Sequence, residues 1–316
     1  MQGDALRIYN EIKKAVVGKD EVLEKIIIAF LAKGHILIDD IPGVGKTTMA
    51  MAFAKAMGCE CNRMQFTPDV MPSDITGFSA FNVKTQEFEY KPGVCMCNIL
   101  LADEINRTSS KTHSALLEVM EERKVTVDGV TRELPEPFLV IATQNPTGSI
   151  GTQLLPESQL DRFMIRLSLG YPSPQEEMQI LKLKSAGDSL DKIMTITSEE
   201  EILGMQEAVE NTFVHDAVYE YIIKLITATR KHDSIELGVS PRGTVALAAM
   251  AKAVAFCEGR DYVIPADVKK IFKDVVTHRI ILTPKAKANK ADASEISEQI
   301  LAKTPVPRLK KQVGEK

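Results

Sequence analysis

The sequence predicts an α/β domain, a parallel sheet covered by helices in three layers, followed by a smaller all-α domain. Three observations predict it. Short apolar runs of strand length alternate with stretches of helical periodicity over the first half, the pattern of a sheet buried on both faces. A glycine loop, Gly43-Val44-Gly45-Lys46-Thr47, joins the first such run to a helix. Beyond Gly170 the helical period takes over.

In chain order, Leu6, Tyr9, Ile12 and Val16 repeat at helical spacing after Asp4, a capping residue. A second helix after Asp20 carries Val22, Ile26, Ala29 and Phe30 on one face. Residues 35–39 read as a buried strand and 46–57 as a helix. Residues 98–103 are a second buried strand, 111–123 a helix, and 138–143 a third core strand. Residues 125–134 alternate around Asp128-Gly129, a pair suited to a hairpin turn with two positive φ angles. Ser173-Pro174-Gln175-Glu176 is a capping box with proline at the first helical position, and Ser198-Glu199-Glu200-Glu201 is another. The boundary is expected near residues 171–174. Residues 1–171 then form the α/β domain, 172–307 the helical domain, and 308–316, polar and basic, a flexible tail.

A chain of 316 residues with 44% hydrophobic content has ample material for a packed core. Its net charge of -4 gives no global pull toward nucleic acid or anionic membranes. The longest apolar runs, residues 26–31 and 99–102, are too short to span a bilayer. The polar start, Met1-Gln2-Gly3-Asp4, is unlike a secretory signal, so a cytoplasmic location is expected. Of five cysteines, Cys59/Cys61 and Cys95/Cys97 suggest halves of a metal site. Their spacing is tighter than zinc knuckles use, and the reading preferred is small hydrophobes sharing a strand face.

The chemistry centres on Pro42-Gly43-Val44-Gly45-Lys46-Thr47-Thr48. Gly43 and Gly45 let backbone N–H groups turn toward phosphate oxygens, and the following helix adds its N-terminal dipole. Lys46 reaches the β- and γ-phosphates of ATP, and Thr47 offers a hydroxyl to Mg²⁺. Asp40 stands where the general pattern has its first glycine. The strand of residues 98–103 ends in Asp103-Glu104: Asp103 is read as a metal ligand and Glu104 as the group that polarises the attacking water. Asn145 follows the third strand and is read as orienting that water or touching the γ-phosphate. Arg162, beyond a short helix, and Arg242, behind the cap Ser240-Pro241, are further candidates. Each arginine alone is more often a surface ion pair, and the two gain weight only from the pattern of the whole chain.

Taken in order, these segments resemble the MoxR-type AAA+ ATPases. Val16-Val17-Gly18-Lys19-Asp20-Glu21 is similar to the segment whose backbone contacts adenine, which places Val17 and Gly18 there. Residues 41–48 resemble the family's phosphate loop, 66–77 its insert, 98–107 its acidic segment, and 116–123 the helix end before its hairpin. Ala142-Thr143-Gln144-Asn145 is similar to sensor 1, Leu160-Asp161-Arg162-Phe163 to the arginine finger, Ser240-Pro241-Arg242 to sensor 2, and Thr304-Pro305-Val306-Pro307 to the family's C-terminal end. The resemblance covers about residues 4–307. It implies an ATPase core with a helical lid, a self-assembled ring that is usually hexameric, and chaperone-like remodelling of a protein client. It also implies a partner carrying a von Willebrand factor A domain. The family's Pro-Val-Phe-Ala-like stretch is replaced here by Val94-Cys95-Met96-Cys97.

Two other functions share much of this pattern. A magnesium-chelatase-like motor for metal insertion would use the same site. A nucleic-acid motor or transcription activator would add a winged helix or helix-turn-helix, and neither is visible; residues 76–81 lack the activator signature.

Overall fold

The computed structural model describes residues 1–39, 43–144, 155–185, 187 and 189–307. They form two compact units, Met1–Glu207 and Ala208–Lys316.

The first unit opens with α1 (Gly3–Ile12) and α2 (Asp20–Leu31), then β1 (Ile36–Asp39), α3 (Lys46–Met57) and β2 (Cys61–Gln65). An insert follows, made of α4 (Pro72–Thr76) and the hairpin β3 (Phe78–Asn82) and β4 (Glu87–Lys91). Next come β5 (Ile99–Asp103), a 3₁₀ turn (Ile105–Arg107), α5 (Ser110–Glu122) and the hairpin β6 (Lys124–Val127) and β7 (Val130–Glu133). Then follow β8 (Leu139–Gln144), α6 (Glu157–Leu160), β9 (Ile165–Leu167), α7 (Pro174–Ser185) and α8 (Glu199–Glu210), within which the two units divide.

Five strands form one parallel sheet in the order β2-β5-β8-β1-β9. Its central strands are apolar up to their C-terminal ends because both faces are covered. Alternate residues face opposite sides. Leu37, Leu100, Ala102, Val140 and Ala142 share one cluster with Leu116 and Met120 of α5. Ile36, Ile38, Ile99, Leu101 and Ile141 are equally buried and point the other way. Phe30 of α2 and Phe53 of α3, also buried, meet edge to face at 5.3 Å.

Helix α1 buries Ala5, Ile8 and Ile12; of the expected stripe, Ile12 and the following Val16 are buried, Tyr9 is half-buried and Leu6 is exposed. Its N-cap is Gln2, and Asp4 lies inside the first turn, where its charge suits the helix dipole. Both capping boxes form. The Ser173 N–H donates to Glu176 Oε2 at 2.6 Å, and the Ser198 N–H to Glu201 Oε2 at 3.1 Å. The Asp128-Gly129 turn has φ of 51° and 77°. The β3–β4 hairpin exposes Phe81 and Phe88, whose rings touch across the strands at 5.4 Å. It leans on the other hairpin through the Arg132 guanidinium, 3.9 Å from the centre of the Tyr90 ring.

His35, at the head of β1, is fully buried between layers. Its Nδ1 accepts from the Val140 N–H at 3.0 Å, so Nε2 carries the proton and donates to Met120 O at 2.9 Å. Burial pushes its pKa down to about 4. An unfolded histidine takes up a proton near pH 6.5, while the folded one stays neutral until about pH 4. The neutral form's contribution is therefore complete above about 6.5 and is lost by about 3 kcal/mol as pH falls to 4. Urea unfolding at pH 7 and pH 5 should show about 2 kcal/mol of this loss in the wild type and a smaller one in His35→Gln. Equal losses in the two proteins would remove His35 as the cause.

The second unit is mainly helical: α9 (Asp216–Arg230), α10 (Pro241–Cys257), α11 (Pro265–Val276), α12 (Pro284–Ala288) and α13 (Ala293–Lys303). A short antiparallel pair, β10 (Ile235–Leu237) with β11 (Ile281–Leu282), was not legible in the helical period. Leu225, Leu247, Met250, Ile271 and Phe272 are buried within it. Asp267 caps α11 through the Ile264 N–H at 2.8 Å and takes a bidentate bond from Arg260 at 2.8 and 2.6 Å.

The cysteine pairs do not share strand faces. Cys59 precedes β2, and Cys95 and Cys97 lie in the turn before β5. Burial pushes the thiols of Cys59, Cys95 and Cys97 up to about 12 and that of Cys61 to about 11, which leaves them protonated and inert. Among the described residues no cluster of histidine, cysteine or carboxylate side chains could hold a metal ion. No described helix is long and apolar enough to cross a membrane.

Candidate nucleotide-binding site

Every strand of the main sheet runs the same way, so the residues at their C-terminal ends gather along one edge. That edge is where open α/β sheets bind ligands. Register aligns Asp39 of β1 with Gln144 of β8, Ala102 of β5 with Ala142 of β8, and Gln65 of β2 with Asp103 of β5. The glycine loop leaves β1, and Asp103-Glu104 leaves β5. Only β8 lies between them, so the two segments start about 10 Å apart at the usual strand spacing.

On the loop side, Gly43 and Gly45 have φ of 87° and 92°, the left-handed region that a side chain resists. Gly45 stands immediately before α3, so the first-turn N–H groups of that helix lie outside its own hydrogen-bond ladder. Lys46, the first helical residue, is buried; Thr47 and Thr48 are half-buried.

Beside the loop is a cavity of 890 Å³. Gly43, Val44, Gly45 and Thr48 line its polar end, and Val16, Val17, Leu169 and Ile180 its apolar side. Its volume lies in the range of small-molecule and cofactor sites. The α7 residues Ile180, Leu181 and Lys184 line it as well. Lys19, which also lines the cavity, ties two of its segments together. Its buried ammonium donates to the carbonyls of Leu169 at 2.6 Å and Gly170 at 3.1 Å. The chain leaving β9 is thereby tied to the Val16–Gly18 segment.

On the acidic side, Asp103 is buried at the end of β5. Its Oδ1 accepts from the Thr143 hydroxyl at 3.3 Å and its Oδ2 from Arg63 Nε at 2.7 Å. The same Thr143 oxygen accepts from the Glu104 N–H at 3.0 Å. Glu104 has φ 57° and ψ 46°, a left-handed conformation that costs a non-glycine residue about 1–3 kcal/mol. It turns the chain sharply out of the strand. Arg107 Nη1 then pairs with Glu104 Oε2 at 2.8 Å.

The other predicted residues lie elsewhere. Arg162, just past α6, pairs with Glu121 of α5 at 3.2 Å and lines a second cavity of 430 Å³ with Glu118 and Gln159. The two cavities share no lining residue. Arg242 is exposed in the first turn of α10, in the second unit, where Ser240 Oγ accepts from the Gly243 N–H at 3.1 Å. Asn145 lies outside the described residues. Reading the sequence missed Lys19, Arg63, Arg107 and Thr143. Thr143 left a trace, a hydroxyl on an otherwise apolar strand. Arg63 left none, because β2 is a half-polar edge strand.

Comparisons with known proteins agree with this geometry. Residues 35–165 match the ATPase family associated with various cellular activities (AAA), and residues 227–300 match an AAA lid domain. The chain is 48% identical over 301 residues to YeaC of Bacillus subtilis, covering 95% of this chain and 94% of that one. It is 40% identical over 312 residues to the chaperone MoxR1 of Mycobacterium tuberculosis, covering 96% and 82%. A crystal structure of a proposed ATPase from Cytophaga hutchinsonii superposes with a TM-score of 0.89 at 36% identity, over 96% of this chain and 97% of the other. Phosphate loop, acidic strand end, lid and near full-length similarity point the same way: this chain belongs to the MoxR-type AAA+ ATPases.

Proposed function

We propose that the protein binds ATP with Mg²⁺ and hydrolyses it to ADP and phosphate, and that it spends this energy remodelling a protein client. The observation that carries the reading is one sheet edge that brings together a helix-terminal glycine loop, an acidic strand end and an open cavity. The apolar side, with Val17 and Gly18, suits adenine. Gly43, Val44, Gly45, Lys46 and Thr48 suit the phosphates. The Thr47 hydroxyl and the Asp103 carboxylate are hard oxygen donors of the kind Mg²⁺ prefers. When bound there, the ion would offset charge on the transferred phosphoryl group. Glu104 accepts a hydrogen bond from the attacking water, and Lys46 stabilises charge on the γ-phosphate. Asn145 is assigned to orienting the water, and Arg242 to sensing the nucleotide from the lid. On this reading the ATPase core spans residues 1–171 and the lid 172–307.

Family membership supports a ring of subunits, read here as a hexamer in the cytoplasm, with Arg162 serving a neighbouring site. The chaperone naming of the Mycobacterium tuberculosis relative supports a protein client. A partner with a von Willebrand factor A domain belongs to the same reading.

Lys46 supplies the compact positive charge of the loop. Lys46→Ala should weaken ATP binding by about tenfold or more, roughly 1.4 kcal/mol, in a fluorescent-nucleotide titration. Wild-type affinity in that variant would sink the assignment of the loop.

A further inference from the structure

We propose that Lys19 is a positioning residue for the nucleobase: its ammonium fixes two main-chain segments that line the cavity, and a preference for adenine over guanine depends on that tie. The inference rests on the ATPase reading of the site. Lys19 is buried, and its charge is met by main-chain carbonyls, Leu169 O at 2.6 Å, Gly170 O at 3.1 Å and Tyr171 O at 3.5 Å. A lysine ammonium has three N–H donors, and each has one of these oxygens to face. Its task here is to hold main chain rather than to meet a phosphate. A buried charge is costly unless it is bonded in this way, so residues 169–171 cannot leave Lys19 without stranding it.

Two stretches of the cavity lining meet at this one side chain. Val16 and Val17 come just before Lys19, and Leu169, Tyr171 and Pro172 belong to the segment it holds or follow it directly. A second contact fixes the same backbone. Gly18, at φ 70°, lies so close to Glu176 that a Cβ there would collide with the carboxylate. Glu176 in turn accepts from the Ser173 N–H at 2.6 Å and caps α7. The start of α7 is therefore seated on the Gly18 backbone. Val17 is half-buried on the cavity lining, and among the described residues no hydrogen bond uses its N–H or its carbonyl. Such groups read a base edge only if they stand at a fixed place. Adenine offers an amino donor beside a ring-nitrogen acceptor, and guanine offers a carbonyl beside a ring N–H. The patterns are reversed, so a fixed main chain that pairs with one leaves polar groups unpaired against the other. A main chain released from Lys19 would lose that discrimination.

The test uses the full chain with Mg²⁺. It measures dissociation constants of ATP and GTP by competition against a fluorescent ATP analogue, and KM and kcat for ATP. The wild type should prefer ATP over GTP by about tenfold or more. Lys19→Met keeps an unbranched stem and removes the donors and the charge. It should weaken ATP about tenfold and GTP less than about twofold, with KM rising alongside and kcat changing less than about twofold. Lys19→Arg keeps charge and donors and should recover part of the preference. Equal weakening of ATP and GTP would make Lys19 a general structural support and overturn the proposal. Unchanged ATP affinity in Lys19→Met, or a wild type that binds ATP and GTP alike, would overturn it too. If Lys19→Met does not fold, amide exchange on the wild type decides: saturating ADP should slow exchange in residues 16–18 and 169–171 more than saturating GDP. Equal slowing would overturn the proposal. A wild-type protein that binds neither nucleotide would end the ATPase reading itself, whereas an active ATPase without base preference ends only the inference.

Discussion

Arg162→Ala should bind ATP almost normally and hydrolyse it on the order of a thousandfold more slowly. Arg162 rests against Glu121 at 3.2 Å, with the two side chains 33% and 41% exposed. An ion pair that open to water is worth at most about 1 kcal/mol. A thousandfold effect corresponds to about 4 kcal/mol at a transition state. Transition-state stabilisation therefore outweighs the ion pair, and leaving Glu121 for a phosphoryl group would cost the guanidinium little. It lines a cavity that shares no residue with the one beside the glycine loop, and on the proposed reading it serves the next subunit of a head-to-tail ring. Mixing tests this directly. Arg162→Ala subunits keep a sound loop and Lys46→Ala subunits a sound finger, so mixed rings regain activity where the two meet. Subunit exchange is checked by fluorescence transfer between labelled copies. Confirmed exchange with no regain would count against action between subunits. A monomer that works at full rate and loses it on Arg162→Ala would place the finger in its own site.

Glu104→Gln should bind ATP with Mg²⁺ as the wild type does and turn it over at least about a hundredfold more slowly. Glutamine keeps the shape of the side chain and can still occupy the tight turn after β5, but it lacks the charge that polarises water. Asp103, the residue assigned to the metal, is untouched, held by Thr143 and Arg63. Binding and turnover should therefore separate: the titration curve of a fluorescent analogue stays in place while phosphate release almost stops. Hydrolysis at the wild-type rate would mean that another group prepares the water.

Much of the candidate site was legible in the amino-acid sequence, for a physical reason. The glycines, lysine and threonine of the loop, and the acidic pair after an apolar strand, are consecutive residues. Their chemistry depends on local backbone shape, and local shape is written in local sequence. The core strands β1, β5 and β8 were legible because a strand buried on both faces is a near-continuous apolar run, here broken only at the C-terminal ends. The capping boxes and the Asp128-Gly129 turn were legible for the same local reason. The strands β2, β3, β4 and β9 were not. They are short, edge or half-exposed, and their polar residues mask the period.

What the sequence alone determined, then, was the local arrangement, the glycine loop before α3 and the acidic end of β5, on which the proposed chemistry rests. Tertiary structure decided which distant residues answer them. Arg63 reaches Asp103 only because β2 lies beside β5 in register, forty positions away in sequence. Thr143 joins Asp103 to the Glu104 backbone only because β8 lies on the other side of β5. Lys19 meets the carbonyls of Leu169 and Gly170 across most of the first unit. Such pairings come from strand order and layer packing, which sum weak preferences over the whole chain, and no short stretch of residues contains them.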